Sequence, residues 1–228
     1  MKSSLIVITV LAIFMVPSIC AATPPRPGPY VSLFAGASIP NNTNATTFDS
    51  NVNRTFYENV EFDTGVYAGG TAGFDFGFVR LEGEVSYRFS DIKNVTDNPS
   101  GFQFTDINGG LGALAVMVNG FVDLHNQSPI TPYLGGGIGF AVLHMDNVTG
   151  FDSRPPAGRV NLYPDADDTV FAWQLGAGLE FALTPFMSVD VGYRYFETDN
   201  ATFNSGFLNT SNVKLKSHNG VVGLRLKF

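Results

Sequence analysis

Gly223-Leu224-Arg225-Leu226-Lys227-Phe228, the last six residues of the 228-residue chain, alternate apolar with polar or small side chains and end on an aromatic. Successive side chains of a strand point to opposite faces. Leu224, Leu226 and Phe228 therefore share one face, and Gly223, Arg225 and Lys227 share the other. A two-faced strand of this kind needs a sheet to belong to, and the rest of the chain supplies one.

The same period of two recurs along the chain and predicts eight strands, over residues 30–39, 64–76, 79–90, 111–124, 132–143, 169–183, 187–196 and 215–228. The third is the clearest: Leu81, Val85, Tyr87 and Phe89 lie on one face, and Arg80, Glu82, Glu84, Ser86 and Arg88 on the other. The connections alternate in length. Gly77, residues 124–131 and residues 183–186 are short, whereas 40–63, 91–109, 144–168 and 197–213 are long. Every second strand finishes alike, as Gly73-Phe74-Asp75-Phe76, Gly120-Phe121-Val122-Asp123-Leu124, Gly178-Leu179-Glu180-Phe181 and Gly223-Leu224-Arg225-Leu226. The repeating unit is thus a hairpin. The eighth strand is expected to pair with the first, which removes the open edges of the sheet.

The start of the chain reads differently. Lys2, an uncharged apolar run from Leu5 to Val16, and small residues around Cys20-Ala21-Ala22 have the form of a secretory signal. The run is shorter than the ~20 residues of a membrane helix. A lipid-modified Cys20 is the alternative, disfavoured by the bulky Ile19 before it. Cleavage after Ala22 would remove the one cysteine, leaving no disulfide or thiolate chemistry. The expected organisation is a signal over 1–22, a Pro-rich lead over 23–29 and one domain over 30–228. Charged residues make up 14% of the chain, with 25 glycines and 21 phenylalanines. Soluble domains carry roughly 25% charge, so this composition suits a protein that faces lipid. A net charge of −7 argues against nucleic acid as a partner. Without a second long apolar run, such a chain can span a membrane only as a closed barrel.

Alternation alone would also fit a soluble barrel with its apolar face inside. Two features decide otherwise. The face opposite the apolar one is small rather than solubilising, with Gly135, Gly137, Gly139 and Ala141 on the fifth strand and Gly176 and Gly178 on the sixth. An eight-stranded barrel has an interior only just wide enough for side chains. Aromatics also gather at both ends of the apolar face: Tyr87, Phe89, Phe171, Trp173, Tyr193 and Tyr195 at one, Phe74, Phe76, Phe181 and Phe228 at the other. Two such girdles flank the apolar band of a membrane barrel. The fold class is therefore all-β, an eight-stranded antiparallel up-and-down transmembrane β-barrel.

Four segments carry a family resemblance: Leu81-Glu82-Gly83-Glu84-Val85-Ser86-Tyr87-Arg88, Pro132-Tyr133-Leu134-Gly135-Gly136-Gly137-Ile138-Gly139, Val191-Gly192-Tyr193-Arg194-Tyr195 and Gly223 to Phe228. With them the chain resembles the small outer-membrane barrel superfamily of Gram-negative bacteria, which includes opacity-type porin-like antigens and the membrane domain of outer membrane protein A. The resemblance covers the whole mature chain and is specific for fold and place rather than for function. It implies both termini in the periplasm, a Phe228 read by the outer-membrane assembly machinery, and contact with outer-membrane lipid and lipopolysaccharide. Outer membrane protein A carries a peptidoglycan-binding domain after its barrel. The present chain stops at the barrel, so no cell-wall tether is implied.

The inward face carries Asp75, Glu82, Glu84, Asp123, Glu180 and Asp190 against Arg80, Arg88, Arg194, Arg225 and Lys227, with Asn119 and Gln174 among them. Buried charges must be paired, so a polar network filling the barrel is expected, with Glu180, Asp190 or Glu82 as partners for Arg225. A narrow ion path or carboxylate acid–base chemistry are the weaker readings. The run Gly135-Gly136-Gly137-Ile138-Gly139 lacks the strand-to-helix junction of a nucleotide loop. Asp165, Asp167 and Asp168, with Asp146 and Asp152 nearby, lack the spacing and glycine of a calcium loop and read as a solvated acidic loop. Ser217 and His218 are adjacent and face opposite ways, so they form no local nucleophile–base pair; His125 and His144 stand alone. Asn-x-Ser/Thr sites such as Asn41, Asn44, Asn53, Asn94, Asn147, Asn200 and Asn209 fit polar loops.

These readings converge on a monomeric surface or envelope protein, without catalytic residues, metal or cofactor, that acts through the long loops 40–63, 91–109, 144–168 and 197–213. A host or cell-surface ligand would bind there. A small low-conductance porin-like channel is the alternative, and a lipid-modifying enzyme the third reading.

Overall fold

A computed structural model describes residues 27–49, 53–98, 100–124, 128–163, 165–205 and 209–228. The proposed signal and His125 lie outside the described residues. Among the described residues the chain forms thirteen strands: β1 (Gly28–Pro40), β2 (Thr43–Asp49), β3 (Arg54–Phe62), β4 (Gly65–Asp75), β5 (Val79–Asp97), β6 (Phe102–Asn108), β7 (Gly110–Asp123), β8 (Ile130–Met145), β9 (Val148–Asp152), β10 (Gly158–Tyr163), β11 (Ala166–Thr184), β12 (Met187–Ser205) and β13 (Asn209–Lys227).

Eight of them, β1, β4, β5, β7, β8, β11, β12 and β13, pair antiparallel with their neighbours into a ring. The ring closes between β1 and β13, from Tyr30↔Lys227 to Pro40↔Ser217. Closure satisfies the backbone groups that an open sheet would leave unpaired in lipid. At the end that holds both chain ends of the barrel, the backbone N–H of Phe228 donates to Pro29 at 3.0 Å. The turn between β4 and β5 lies at the same end. Gly77 takes φ +103° there, and its N–H donates to Asp75 Oδ1 at 2.7 Å.

The faces follow the alternation in the sequence. Along β5 every second residue from Arg80 to Arg88 is buried, while Leu81, Val85 and Tyr87 are exposed. Around the ring the outer surface is apolar, including Leu33, Val116, Val118, Ile138, Phe140, Leu175, Leu224 and Leu226. Exposed apolar area on this scale suits hydrocarbon, not water.

The main surprise is strand length. β5, β11, β12 and β13 each run 19 residues, whereas a tilted membrane strand needs about 9–11. The excess all falls at the end opposite the termini. The stretches expected as loops are mostly paired strand. β2 and β3 form a hairpin that pairs on its flanks with β13 and β5. β6 joins the extension of β5, and β9 and β10 continue outward from β6. β12 and β13 remain paired up to Ser205↔Asn209. The physical reason is a buried inner face: Ala45, Val60, Val95, Phe104, Val148, Ala201 and Phe203 all point into one apolar cluster. These connections are therefore not wholly polar surface, as their Asn- and Thr-rich composition suggests.

Candidate functional site

The lumen has two storeys. In the half nearer the termini it is charged. Arg225 pairs with Glu180 and approaches Asp190 at 3.8 Å. Lys227 Nζ meets Asp75 at 2.8 Å and Glu180 at 3.4 Å. Arg80 Nε lies 2.8 Å from Asp123, with its Nη1 3.6 Å from Glu180. Ser188 donates a further hydrogen bond to Glu180 at 2.7 Å. One step up, Glu84 is the hub. Arg194 Nη1 donates to it at 2.6 Å, and Tyr67 Oη, Asn119 Nδ2 and Gln174 Nε2 donate at 2.9 Å each. Glu82 accepts from Tyr30 at 2.7 Å and from Asn119 at 3.2 Å, so it is held by neutral donors and not by Arg225. Removing both members of such pairs from water is costly, and several donors on each carboxylate are what offset it.

Aromatic rings fill the space between the charges. Arg225 lies 4.8 Å above the Tyr30 ring and Arg194 4.6 Å above Phe34. Arg80 lies 4.8 Å from the Tyr133 ring. Tyr133 reaches over Gly178 of the intervening β11 and donates to Asp190 of β12 at 2.9 Å. Its hydroxyl occupies space that a Cβ on Gly192 would enter at 2.6 Å. The small residues on the inner face therefore do more than fit a narrow bore: they admit the large inward aromatics of other strands.

Arg88 marks the boundary between storeys. Its guanidinium is stacked between Tyr67, at 4.1 Å, and Phe196, at 3.8 Å. Beyond it the lumen is apolar. Leu111, Ala113, Ala115 and Met117 of β7 lie beside Ala141, Leu143 and Met145 of β8, with Val170 on the next strand and Phe196 and Leu215 further round the ring in the same cluster. This core continues without a break into the hairpins. A void of about 10 Å³ lies beside Arg88, Ser38 and Ser90, room for a single water molecule at most. A concavity of about 750 Å³ lies on the other side of the wall, lined by outward residues such as Val31, Leu33, Gly70, Ala72 and Leu224.

At the hairpin tips, polar contacts tie the strands together. Tyr163 of β10 donates to Glu58 of β3 at 2.5 Å. Burial raises the Glu58 carboxyl above its ordinary range, with the Tyr163 hydrogen bond opposing and Asp97 adding to the rise. Arg159 of β10 pairs with Asp106 of β6. The acidic segment is likewise engaged: His144 lies 2.6 Å from Asp167 and 3.3 Å from Asp146, contacts that raise the imidazole above its usual value, and Asp168 accepts from the Thr202 N–H at 2.6 Å.

The residues expected to face inward, Arg80, Glu82, Glu84, Arg88, Asn119, Gln174, Glu180, Asp190, Arg194 and Arg225, are all buried in the lumen, and Asp75, Asp123 and Lys227 lie with them. Tyr87, Phe89, Trp173, Tyr193 and Tyr195 face outward near the hairpin end, and Phe74, Phe76, Phe181 and Phe228 near the termini. Ser217 is buried in the lumen while His218 faces out, where its Nδ1 lies 2.6 Å from the Tyr193 hydroxyl. Among the described residues no group of three or more His, Cys, Asp or Glu is arranged to hold a metal ion. Sequence reasoning missed the apolar upper storey. Its signal was present, since Leu111-Gly112-Ala113-Leu114-Ala115-Val116-Met117 is apolar on both faces.

Residues 6–228 match the family model described as outer membrane protein beta-barrel domain. The chain is 30% identical over 181 residues to outer membrane protein PagN of Salmonella typhimurium, covering 75% of this chain and 74% of that protein. Among solved structures it resembles OprG of Pseudomonas aeruginosa, at TM-score 0.58 and 14% identity, over 91% of this chain and 99% of that one. It also resembles Neisserial surface protein A, at TM-score 0.50 and 21% identity, over 88% and 97% respectively. A closed ring of eight antiparallel strands, an apolar belt and a charged interior thus meet in one lineage: the chain belongs to the outer membrane β-barrel family.

Proposed function

We propose that this protein is a surface-display barrel: a closed membrane anchor that holds a rigid β-structured crown outside the cell. The observation that carries the reading is the two-storey lumen. Ion pairs fill the half nearer the termini, and an apolar core fills the other half and runs on into the hairpins. A bore packed in this way offers no continuous polar path for ions or solutes.

The crown sits on the outer face and the termini in the periplasm. Short turns at one end and long hairpins at the other support that orientation. The word "surface" in the name of Neisserial surface protein A is consistent with it, at the level of fold. Function then lies in the outward faces and tips of β2–β3, β6, β9–β10 and β12–β13, where a host or cell-surface ligand, or a neighbouring envelope component, would be engaged. Binding elements held on paired strands lose less freedom on association than mobile loops do. The test is to shorten the four hairpins to tight turns just above the aromatic girdle and compare attachment of bacteria displaying each form. Attachment is expected to be lost while the barrel still migrates as a folded, heat-modifiable species. Undiminished attachment by the shortened barrel would overturn the proposal.

A further inference from the structure

Beyond the barrel the wall of the crown is not a closed ring. Its strands run in the order β10-β9-β6-β5-β3-β2-β13-β12. Among the described residues β10 pairs with β9 alone, and β12 pairs with β13 alone beyond Thr198, where its register with β11 ends. An unpaired strand edge presents a row of backbone N–H and C=O groups that another extended chain can pair with.

The two edges are finished differently. On β12 the Thr202 N–H is capped by Asp168 Oδ2 at 2.6 Å, and its neighbours Ala201 and Phe203 are buried. Among the described residues no such cap covers the backbone of β10. Charged side chains and prolines are the usual guards of an edge, and here they are missing or drawn away. Arg159 turns back across the sheet, where it donates to Thr149 of β9 at 2.9 Å and pairs with Asp106 of β6. Tyr163 is engaged by Glu58. No proline interrupts Gly158–Tyr163, and a bulge between Asn161 and Tyr163 leaves Gly158 to Asn161 as the regular stretch. Val160 lies opposite Gly150, on the face that packs against Ile107 and Phe104, yet it is 37% exposed. A strand added beside β10 would cover it. The far end of this edge is acidic. Residues 152–168 hold Asp152, Asp165, Asp167 and Asp168 against Arg154 and Arg159. Arg154 is paired with Asp152 and Arg159 with Asp106. Asp165 and Asp167 stay exposed just past the strand, with His144 beside Asp167.

We infer that the free edge of β10 is a docking site for an extended, basic peptide segment of a partner protein, which joins the crown as a further strand. The inference rests on the surface-display reading. Only a peptide backbone repeats donors and acceptors at strand spacing, so the edge selects a protein chain over a glycan or a lipid. A second copy of β10 fits less well, because its arginines are already paired within their own chain and bring no cation to Asp165. Main-chain hydrogen bonds supply the affinity. An apolar residue beside Val160 and a lysine or arginine toward Asp165 supply the selectivity.

The probe is the synthetic peptide Lys-Val-Thr-Val-Thr-Val-Lys with a fluorophore, titrated onto the mature chain refolded in detergent micelles. Saturable binding is expected, with amide protection rising several-fold in β10 and unchanged along the capped edge of β12. The same peptide N-methylated at every inner residue cannot form the ladder and is expected to bind at least several-fold more weakly, as is the peptide with glutamate in place of both lysines. V160K puts a charge on the apolar side of the edge and loses binding, whereas V160T keeps it. Heat-modifiable migration checks that each variant is folded. Equal binding of the N-methylated or the glutamate peptide, protection gained elsewhere than in β10, or undiminished binding by V160K overturns the site. A concentration-dependent dimer that protects β10 without peptide overturns the partner segment in favour of a second copy. Orientation in the membrane plays no part in micelles, so failure of this site and failure of the surface-display reading, which bacterial attachment tests, are distinguishable.

Discussion

Glu180 holds the lower storey together. It accepts from Ser188 and pairs with Arg225, Lys227 and Arg80. Arg225→Ala leaves Glu180 and Asp190, both buried, short of a cation. Breaking one side of a buried pair costs about 3–5 kcal/mol. Unfolding of refolded protein by denaturant should show a loss of that order, and an unchanged midpoint would mean that the charges are hydrated. At the hairpin tips the sign of the pH effect can be worked out. The folded-state carboxyl of Glu58 titrates above its ordinary value because it is buried. The folded crown thus binds this proton more tightly than an open one. Burial of Glu58 is therefore least costly below the unfolded carboxyl value, and the crown loses stability as pH rises through the raised one, the Tyr163 hydrogen bond offsetting part of the loss. Amide protection in β10, taken relative to the intrinsic exchange rate at each pH, should therefore fall from acid toward neutral pH, and Glu58→Gln should abolish that trend. At this scale, which residues face inward was legible, because a period of two fixes the face of every side chain. Partners were less so: Arg225 could be narrowed to Glu180, Asp190 or Glu82, but that Glu82 is taken instead by Tyr30 and Asn119 could not be read. Such contacts depend on how far each strand is staggered around the ring.

Strand ends were the least legible feature. Thr43–Asp49 and Arg54–Phe62 are rich in Asn, Thr and charge, which reads as loop. Their inner face nonetheless buries Ala45 and Val60 against Val95 and Phe104, residues far away in sequence. Period-two signals that weak become visible only when the neighbouring strand is known. Two expectations belong to these elements. Gly178→Val puts a side chain 2.6 Å from the Val191 carbonyl and beneath the Tyr133 hydroxyl. Overpacking of this kind typically costs 1–3 kcal/mol or more, and a lowered melting temperature of the folded band should report it. Phe228 behaves differently. The residue is 75% exposed, just past the end of β13. Deleting it should shift denaturant stability by less than about 1 kcal/mol, within the range of surface changes. The yield of membrane-inserted barrel in cells should fall several-fold, as expected if the terminal aromatic serves recognition during assembly. A large stability loss with normal yield would reverse that assignment.

The whole molecule is a ring of eight strands whose walls outlast the membrane. The alternation that fixes the apolar belt also fixes the charged storey, so fold and membrane face were both readable from the sequence. The second storey was not. Residues 111–117 present apolar groups on both faces, which hints at an apolar lumen at that level, but nothing local shows that the core runs on into the hairpins. On the proposed reading that upper core matters most for function, because it would turn a polar-lined cylinder into a closed post that transmits no solute and presents its crown in a fixed geometry. Planar-bilayer recording from purified, refolded protein tests the closed post most directly. The account predicts no steps above the bare-membrane baseline, with Leu111, Met117, Leu143 and Phe196 still sealing the bore when Arg225→Ala loosens the lower storey. Regular single-channel openings in the wild-type protein would contradict it.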